Sequence, residues 1–248
     1  MITDVPLETF GRNKLLALLP EASRGRLAPH LKLRDLPHKF VVHEPYGEVK
    51  ELYFPLSGVI SWIVTMKNGS MAEAMTIGNE GVSGISVALG GHRGSTASIV
   101  QAPGFALVIE IDQFVRLLDE DRALFRAMQY YANVLINVVA QCAACNRLHE
   151  VTERCARWLL MMHDRAESEE FILVQEFLAD MLGVHRPTVS VCASILQRAG
   201  FISYKRGRVR VMDRAGLESA ACECYRVVAD EYVHMLEDLA RLRAAAGY

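Results

Sequence analysis

The chain has 248 residues, 51% apolar and 23% charged, and its 27 lysines and arginines against 29 acidic residues leave a formal charge of −2. This is the composition of a globular protein with room for one large or two modest domains; it excludes a disordered tail, a collagen-like chain and a disulfide-stapled miniprotein. The near-neutral total argues against a nonspecific polycation, so charge is informative only segment by segment.

Residues Met1 to Lys32 read as helical and irregular packing material, with Leu15, Leu18 and Leu19 as apolar positions and breaks at Pro20 and Pro29. The apolar run Leu15 to Leu19 is too short for a secretion signal, so a cytoplasmic location is expected. From Lys39 to Asp112 the texture changes to short β-branched runs punctuated by glycine: Phe40–Val42, Glu51–Phe54, Gly58–Met66, Ala72–Ile77, Ser98–Val100 and Ala106–Ile111. That spacing predicts an antiparallel, jelly-roll-like β-roll. Asn68-Gly69 between two such runs marks a hairpin, because the turn needs positive φ.

After Asp112 helical periodicity takes over. The stretch Ala127 to Asn146 carries no charge and is long enough to span a bilayer, yet Gln129, Asn133, Asn137 and Gln141 fall on one side of a helix. Leu124, Met128, Tyr131, Leu135, Val138, Cys142 and Cys145 form the opposite stripe, so an amphipathic helix outside the membrane is expected. The steps of four and three make a heptad seam, which favours a dimerisation helix; the other reading is a long core helix lying on the roll. Val151, Cys155, Trp158, Leu159 and Met162 define a further helix, and the polar run Asp164 to Glu170 reads as a loop.

Val174 to Leu182, the turn residue Gly183, and a second helix opened by His185-Arg186-Pro187-Thr188 and running to about Ala199 have helix-turn-helix spacing. On the second helix Val189, Cys192, Ala193 and Leu196 share a packing face, and Pro187, Ser190, Val191 and Ser194 the opposite one. Phe201 to Met212 is two alternating runs about a basic glycine turn, a β-hairpin wing. Between His185 and Arg214 there are seven cations (186, 198, 205, 206, 208, 210 and 214) and one acid, Asp213, a net +6 within a −2 protein. Nucleic-acid phosphate is the expected partner of such a concentration.

The order of roll, long helix and winged helix-turn-helix, with Gln175-Glu176, Leu182-Gly183-Val184, Arg186-Pro187-Thr188-Val189, Gly200-Phe201-Ile202 and Cys222-Glu223-Cys224-Tyr225, resembles the Crp-Fnr bacterial transcription regulators. The resemblance covers about residues 30 to 225. It is weaker in the roll, where it rests on Tyr53 to Gly58 and Glu80 to Gly84. It implies an α+β chain divided into a roll with its N-terminal helical segment (1–119), a dimerisation helix (120–147) and a winged helix-turn-helix domain with a C-terminal helix (148–248). It further implies a homodimer on palindromic double-stranded DNA, contact with RNA polymerase if the chain is an activator, and no enzymatic role.

Carried over by position, the resemblance sends Arg186, Pro187, Ser190 and Val191 toward bases, Gln175, His185 and Thr188 toward phosphates, and the wing residues Lys205 and Arg206 to the DNA backbone. Where the best-known members read bases with Arg, Glu and Arg, this chain has Arg186, Pro187 and Val191, so its operator differs from theirs. The cyclic-nucleotide pocket also departs: an ungapped register puts Ile85-Ser86 and Thr96-Ala97 where relatives hold ribose and phosphate. Cyclic AMP is therefore not expected, and Arg93, Ser95 and Thr96 remain as a shifted anion site.

Other chemistry is weighed against this. Cys142-x-x-Cys145, with Cys222-x-Cys224 as a second pair, could supply four thiolates to a metal or act as a redox sensor. Both members of the first pair lie on the apolar stripe, where buried cysteines are common packing residues, so neither metal nor cofactor is expected. The family's iron–sulfur sensors use an N-terminal cluster, whereas the first cysteine here is Cys142. Gly90 to Gly94 lacks the Lys-Ser/Thr of a phosphate-binding loop, and His149 and His163 show no cysteine–carboxylate constellation. A ligand-binding module without DNA activity and an enzyme remain the alternatives.

Overall fold

The structure is a computed structural model, and it describes residues 7–166 and 169–245. A 3-10 turn over Leu7–Arg12 leads to two short helices, α1 (Lys14–Ala17) and α2 (Glu21–Leu27). The strands β1 (Lys32–Leu36), β2 (Val41–His43), β3 (Glu51–Pro55), β4 (Val59–Thr65), β5 (Met71–Ile77), β6 (Thr96–Ala102) and β7 (Gly104–Glu110) follow. They form two antiparallel sheets, β1-β7-β3 and β2-β6-β4-β5, whose inner faces close over one apolar core. The predicted hairpin joins β4 and β5; Gly69 alone takes positive φ, at 84°, and Asn68 Oδ1 accepts from Ser70 N at 3.0 Å. β1 opens the roll at Lys32, ahead of the β texture read from Lys39; of the stretch Met1 to Lys32 read as helical, residues 1–6 lie outside the described residues.

Helix α3 (Ile111–Glu120) turns into α4 (Arg122–Leu148), capped by Asp121, whose carboxylate accepts from Ala123 N and Leu124 N. Then come α5 (Val151–Arg165), β8 (Glu170–Ile172), α6 (Gln175–Leu182), α7 (Arg186–Arg198), β9 (Ile202–Lys205), β10 (Arg208–Val211), α8 (Arg214–Ala220) and α9 (Cys224–Ala245). The expected loop from Asp164 is helical to Arg165, and its residues 167–168 lie outside the described residues; Glu170 already belongs to β8, which pairs with β10. Among the described residues no helix is long and apolar enough to cross a membrane.

The stripe on α4 is filled from within the chain. Leu124, Met128, Tyr131, Leu135, Val138, Cys142 and Cys145 are each at most 4% exposed. All but Cys145 join the core of the roll, together with Val228, Tyr232, Met235 and Leu239 of α9. So the long-core-helix reading describes these residues, and the open seam expected of them does not. The partner the heptad called for is α9, a helix of the same chain, which leaves the DNA-binding segment and returns along α4. The outward face of α4 is different: Phe125 and Ile136, eleven residues apart and so on one side, are 39% and 66% exposed.

A second core joins α5 to α8 with the outer faces of Val59 and Ile63, so the helix-turn-helix is seated on the roll. Polar groups are buried in this joint. Trp158 Nε1 donates to Glu73 Oε1 at 3.1 Å, and Ser61 Oγ donates to Glu73 Oε2 at 2.6 Å. Arg165 of α5 reaches back to Glu80 at 2.6 Å, both side chains being under a tenth exposed. Burial pushes the Glu73 carboxyl above its ordinary pKa, against the lowering effect of the Ser61 bond and the Arg157 charge.

Candidate nucleic-acid interface

Gly183 ends α6 in the left-handed region, φ 64°, which a side chain at that position would resist. The chain then enters α7 with Pro187 in the first turn, where the missing N–H costs little. Val189, Cys192, Ala193 and Leu196 are buried, as their spacing predicts, the first, second and fourth in one core with α5 and α6. That fixes the opposite face outward: His185, Arg186, Pro187, Ser194 and Arg198 are exposed, and Val191 is 58% exposed. Ser190 is half-buried and ties the two helices together, its Oγ donating to Gln175 Oε1 at 2.7 Å. Thr188 is also half-buried.

The wing is a two-residue hairpin in which both Arg206, φ 52°, and Gly207, φ 75°, take positive φ, with Lys205 paired to Arg208. This is the geometry of a primed turn matched to strand twist. It projects Lys205 and Arg206 into solvent. Tyr204 braces the wing from behind: its hydroxyl donates to Leu173 O at 3.0 Å and its backbone N–H to Gln197 Oε1 of α7 at 2.7 Å. Gln175, Arg186, Tyr204 and Gly207 thereby line one notch.

The seven cations of the basic stretch divide into two kinds. Arg208 and Arg210 both pair with Glu170, at 3.2 and 3.4 Å. Arg214 holds Asp164 at 2.6 Å and Glu218 at 3.0 Å, and donates to the Tyr225 hydroxyl. These three serve the fold. Among the described residues Arg186, Arg198, Lys205 and Arg206 form no ion pair and stay open to an outside anion. The expected effector residues are less convergent: Arg93 and Ser95 are exposed, Thr96 is half-buried in β6, and the backbone of Arg93 bridges Glu48.

The cysteines also separate. Cys142 packs in the roll's core, and Cys155 and Cys192 in the second core. Cys145, Cys222 and Cys224 form a buried cluster of their own, with His149 beside it, and the four ligand atoms all lie within 4.8 Å of one another. This corrects two expectations. Cys142 does not share a site with Cys145, and His149 does sit in a cysteine constellation with a carboxylate at hand, Glu223 Oε2 lying 3.1 Å from its Nε2.

Residues 153–220 match the Crp-like helix-turn-helix domain family. No curated protein sequence matches the chain. Among solved structures it is similar to FixK2 from Bradyrhizobium japonicum, at 15% identity over 77% of this chain and 98% of that one, TM-score 0.67. It is also similar to the c-di-GMP-responsive global regulator CLP of Xanthomonas campestris, at 17% identity over 77% and 99%, TM-score 0.64. A third likeness is to a CRP-family transcriptional regulator from Thermus thermophilus, at 20% identity over 76% and 96%, TM-score 0.62. These likenesses show the fold, and the domain match shows that residues 153–220 carry a Crp-like helix-turn-helix, a DNA-binding domain.

Proposed function

We propose that the chain is a transcription regulator of the Crp-Fnr type that works in the cytoplasm, without enzymatic activity, as a two-fold dimer on palindromic operators, each copy laying α7 in a major groove and its wing along the flanking backbone. The observation that carries the reading is the division among the cations. In a stretch where three arginines are paired with acids of the same domain, Arg186, Arg198, Lys205 and Arg206 form no ion pair among the described residues and are exposed to solvent. Arg186 lies in the first turn of α7, where a long side chain reaches a groove and forks onto a guanine; Pro187 and Val191 offer apolar contact of the kind that suits a thymine methyl. Ser190 serves the reading indirectly, since its hydroxyl is engaged by Gln175. Gln175, His185 and Thr188 would contact phosphate.

For the dimer, the outward face of α4, with Phe125 and Ile136 exposed along it, takes the place of the stripe now occupied by α9. The working units are then the roll, the long helix with α9 laid along it, and the segment from α5 to α8. In the roll, the exposed segment of Arg93 and Ser95 beside Thr96 is the candidate entrance for an anionic effector. Selection of binding sites from random duplex DNA tests the whole reading: an enriched palindrome is expected, and the absence of any enriched sequence would overturn it in favour of a ligand-binding module.

A further inference from the structure

Two short segments, 77 residues apart in sequence, meet where α4 ends and α9 begins. Cys145 and His149 are four apart and so share one face of α4 at its last turn, His149 being the cap residue whose N–H bonds to Cys145 O. Cys222 and Cys224 flank Glu223 at the junction of α8 and α9. Cys145 Sγ lies 3.5 Å from Cys222 Sγ, and Cys224 Sγ lies 3.5 Å from His149 Nδ1. In a tetrahedral zinc site, with Zn–S of about 2.3 Å and Zn–N of about 2.0 Å, neighbouring sulfurs are about 3.8 Å apart and a sulfur and nitrogen about 3.5 Å apart. The two edges at 3.5 Å are close to those of such a tetrahedron, and the remaining pairs stay within 4.8 Å. With all four ligand atoms inside 4.8 Å there is room for one ion and not for a multi-iron cluster.

Three further features fit a metal better than packing. The three thiols belong to neither apolar core, although each is at most 5% exposed. The second imidazole nitrogen of His149 meets Glu223, the carboxylate partner that orients a metal-bound histidine. Arg154 and Arg157 are buried in α5 without an ion pair among the described residues, and both interact electrostatically with Cys145 and Cys222. Three thiolates and a divalent ion carry a net charge of −1, which answers these guanidiniums where neutral thiols do not.

We propose that Cys145, His149, Cys222 and Cys224 form a closed Cys3His site for a single zinc ion, which pins the end of α4 to the α8–α9 junction. Four protein ligands leave no open position, so the ion is structural. Its place suits that role: α4 ends at Leu148 and α5 begins at Val151, and the residues between them would be the pivot of the DNA-binding segment. The ion would clasp both sides of that pivot and hold the orientation of α7 against the roll.

The test uses the full chain purified under reducing conditions without chelator. Elemental analysis is expected to find one zinc per chain, and cobalt titrated into chelator-stripped protein to give thiolate charge-transfer and tetrahedral d–d bands saturating at one equivalent. Cys222→Ser and His149→Ala should lose at least nine-tenths of the bound metal, while Cys155→Ala and Cys192→Ala, whose thiols lie in the second core, should keep it. Wild-type chain with all six thiols reduced that takes up no cobalt would overturn the proposal. So would a Cys145–Cys222 disulfide in the purified protein, which would make the pair a redox element, or full metal retention by Cys222→Ser. The cobalt readout on wild-type chain keeps the test decisive even where a variant fails to fold.

Discussion

Two sets of arginines in the C-terminal half behave in opposite ways. Three arginines of α5 are buried: Arg157 and Arg165 face the roll's Glu73 and Glu80, and Arg154 donates to Leu182 O beside the Cys145 and Cys222 thiols. Arg186, Arg198 and Arg206 are as cationic but exposed, and form no ion pair among the described residues. A buried guanidinium must have its charge answered within the fold, so it reports how the helix-turn-helix is seated; an exposed one without a partner is available to something outside. Net charge by segment adds the two kinds together, and the ion pairs take them apart.

The first way to break that contrast is to remove one side of a buried pair. Arg165→Leu would leave the Glu80 carboxylate buried and short of its two bonds from Arg165, at 3.0 and 2.6 Å, and should cost about 3–5 kcal/mol in urea unfolding. A loss under about 1 kcal/mol would mean that the pair is solvated. Next in size is Arg186→Ala. It should leave the fold intact and cost about 1–3 kcal/mol of affinity for the selected duplex, with preference relaxed at one position per half-site. Equal weakening on a scrambled duplex would assign Arg186 to phosphate instead. A smaller effect is expected at the wing tip, where Lys205→Ala and Arg206→Ala should weaken all sequences alike and flatten the salt slope by about 0.9 per lost phosphate contact.

The smallest effect is a pH dependence. Because burial raises the Glu73 carboxyl in the folded chain, the native state holds a proton that the unfolded state gives up above the ordinary carboxylate range. Glu73 therefore lowers stability as pH rises through that range toward its folded pKa. Glu73→Gln, which cannot ionise, should lack this component, so the stability of wild type relative to the variant should fall as urea unfolding is repeated from about pH 4 to about pH 7. A difference that grew with pH would mean that the carboxylate is stabilised in the fold.

The helix-turn-helix was legible because its signals are local: Gly183 for the turn, Pro187 for the helix start, the step pattern of Val189, Cys192 and Leu196, and the glycine at the wing tip. The Asn68-Gly69 hairpin was read for the same reason. Strand β1 escaped because Lys32 to Leu36 is mostly polar, with only Leu36 buried, so it lacks the β-branched texture of its neighbours. The seam on α4 was read correctly as a stripe in need of a partner, yet the identity of that partner is a long-range fact, since α9 lies far downstream in the chain. The thiol cluster is similar. The spacing Cys142-x-x-Cys145 drew attention to the wrong pair, and only the meeting of residues 145–149 with 222–224 shows that His149, one turn further on, is the partner of Cys145. Arg208, Arg210 and Arg214 could not be told from Arg186 by composition, because the acids that claim them come from Glu170, Asp164 and Glu218.

The central claim, that the unpaired face of α7 and the wing read duplex DNA by sequence, is tested most directly by titrating the full chain against its selected palindrome and a scrambled duplex of equal length at physiological salt. Binding to the palindrome should be at least about a thousandfold tighter. Equal affinity for the two duplexes, with the same dependence on salt, would show a surface that holds phosphate without reading bases and would contradict the account.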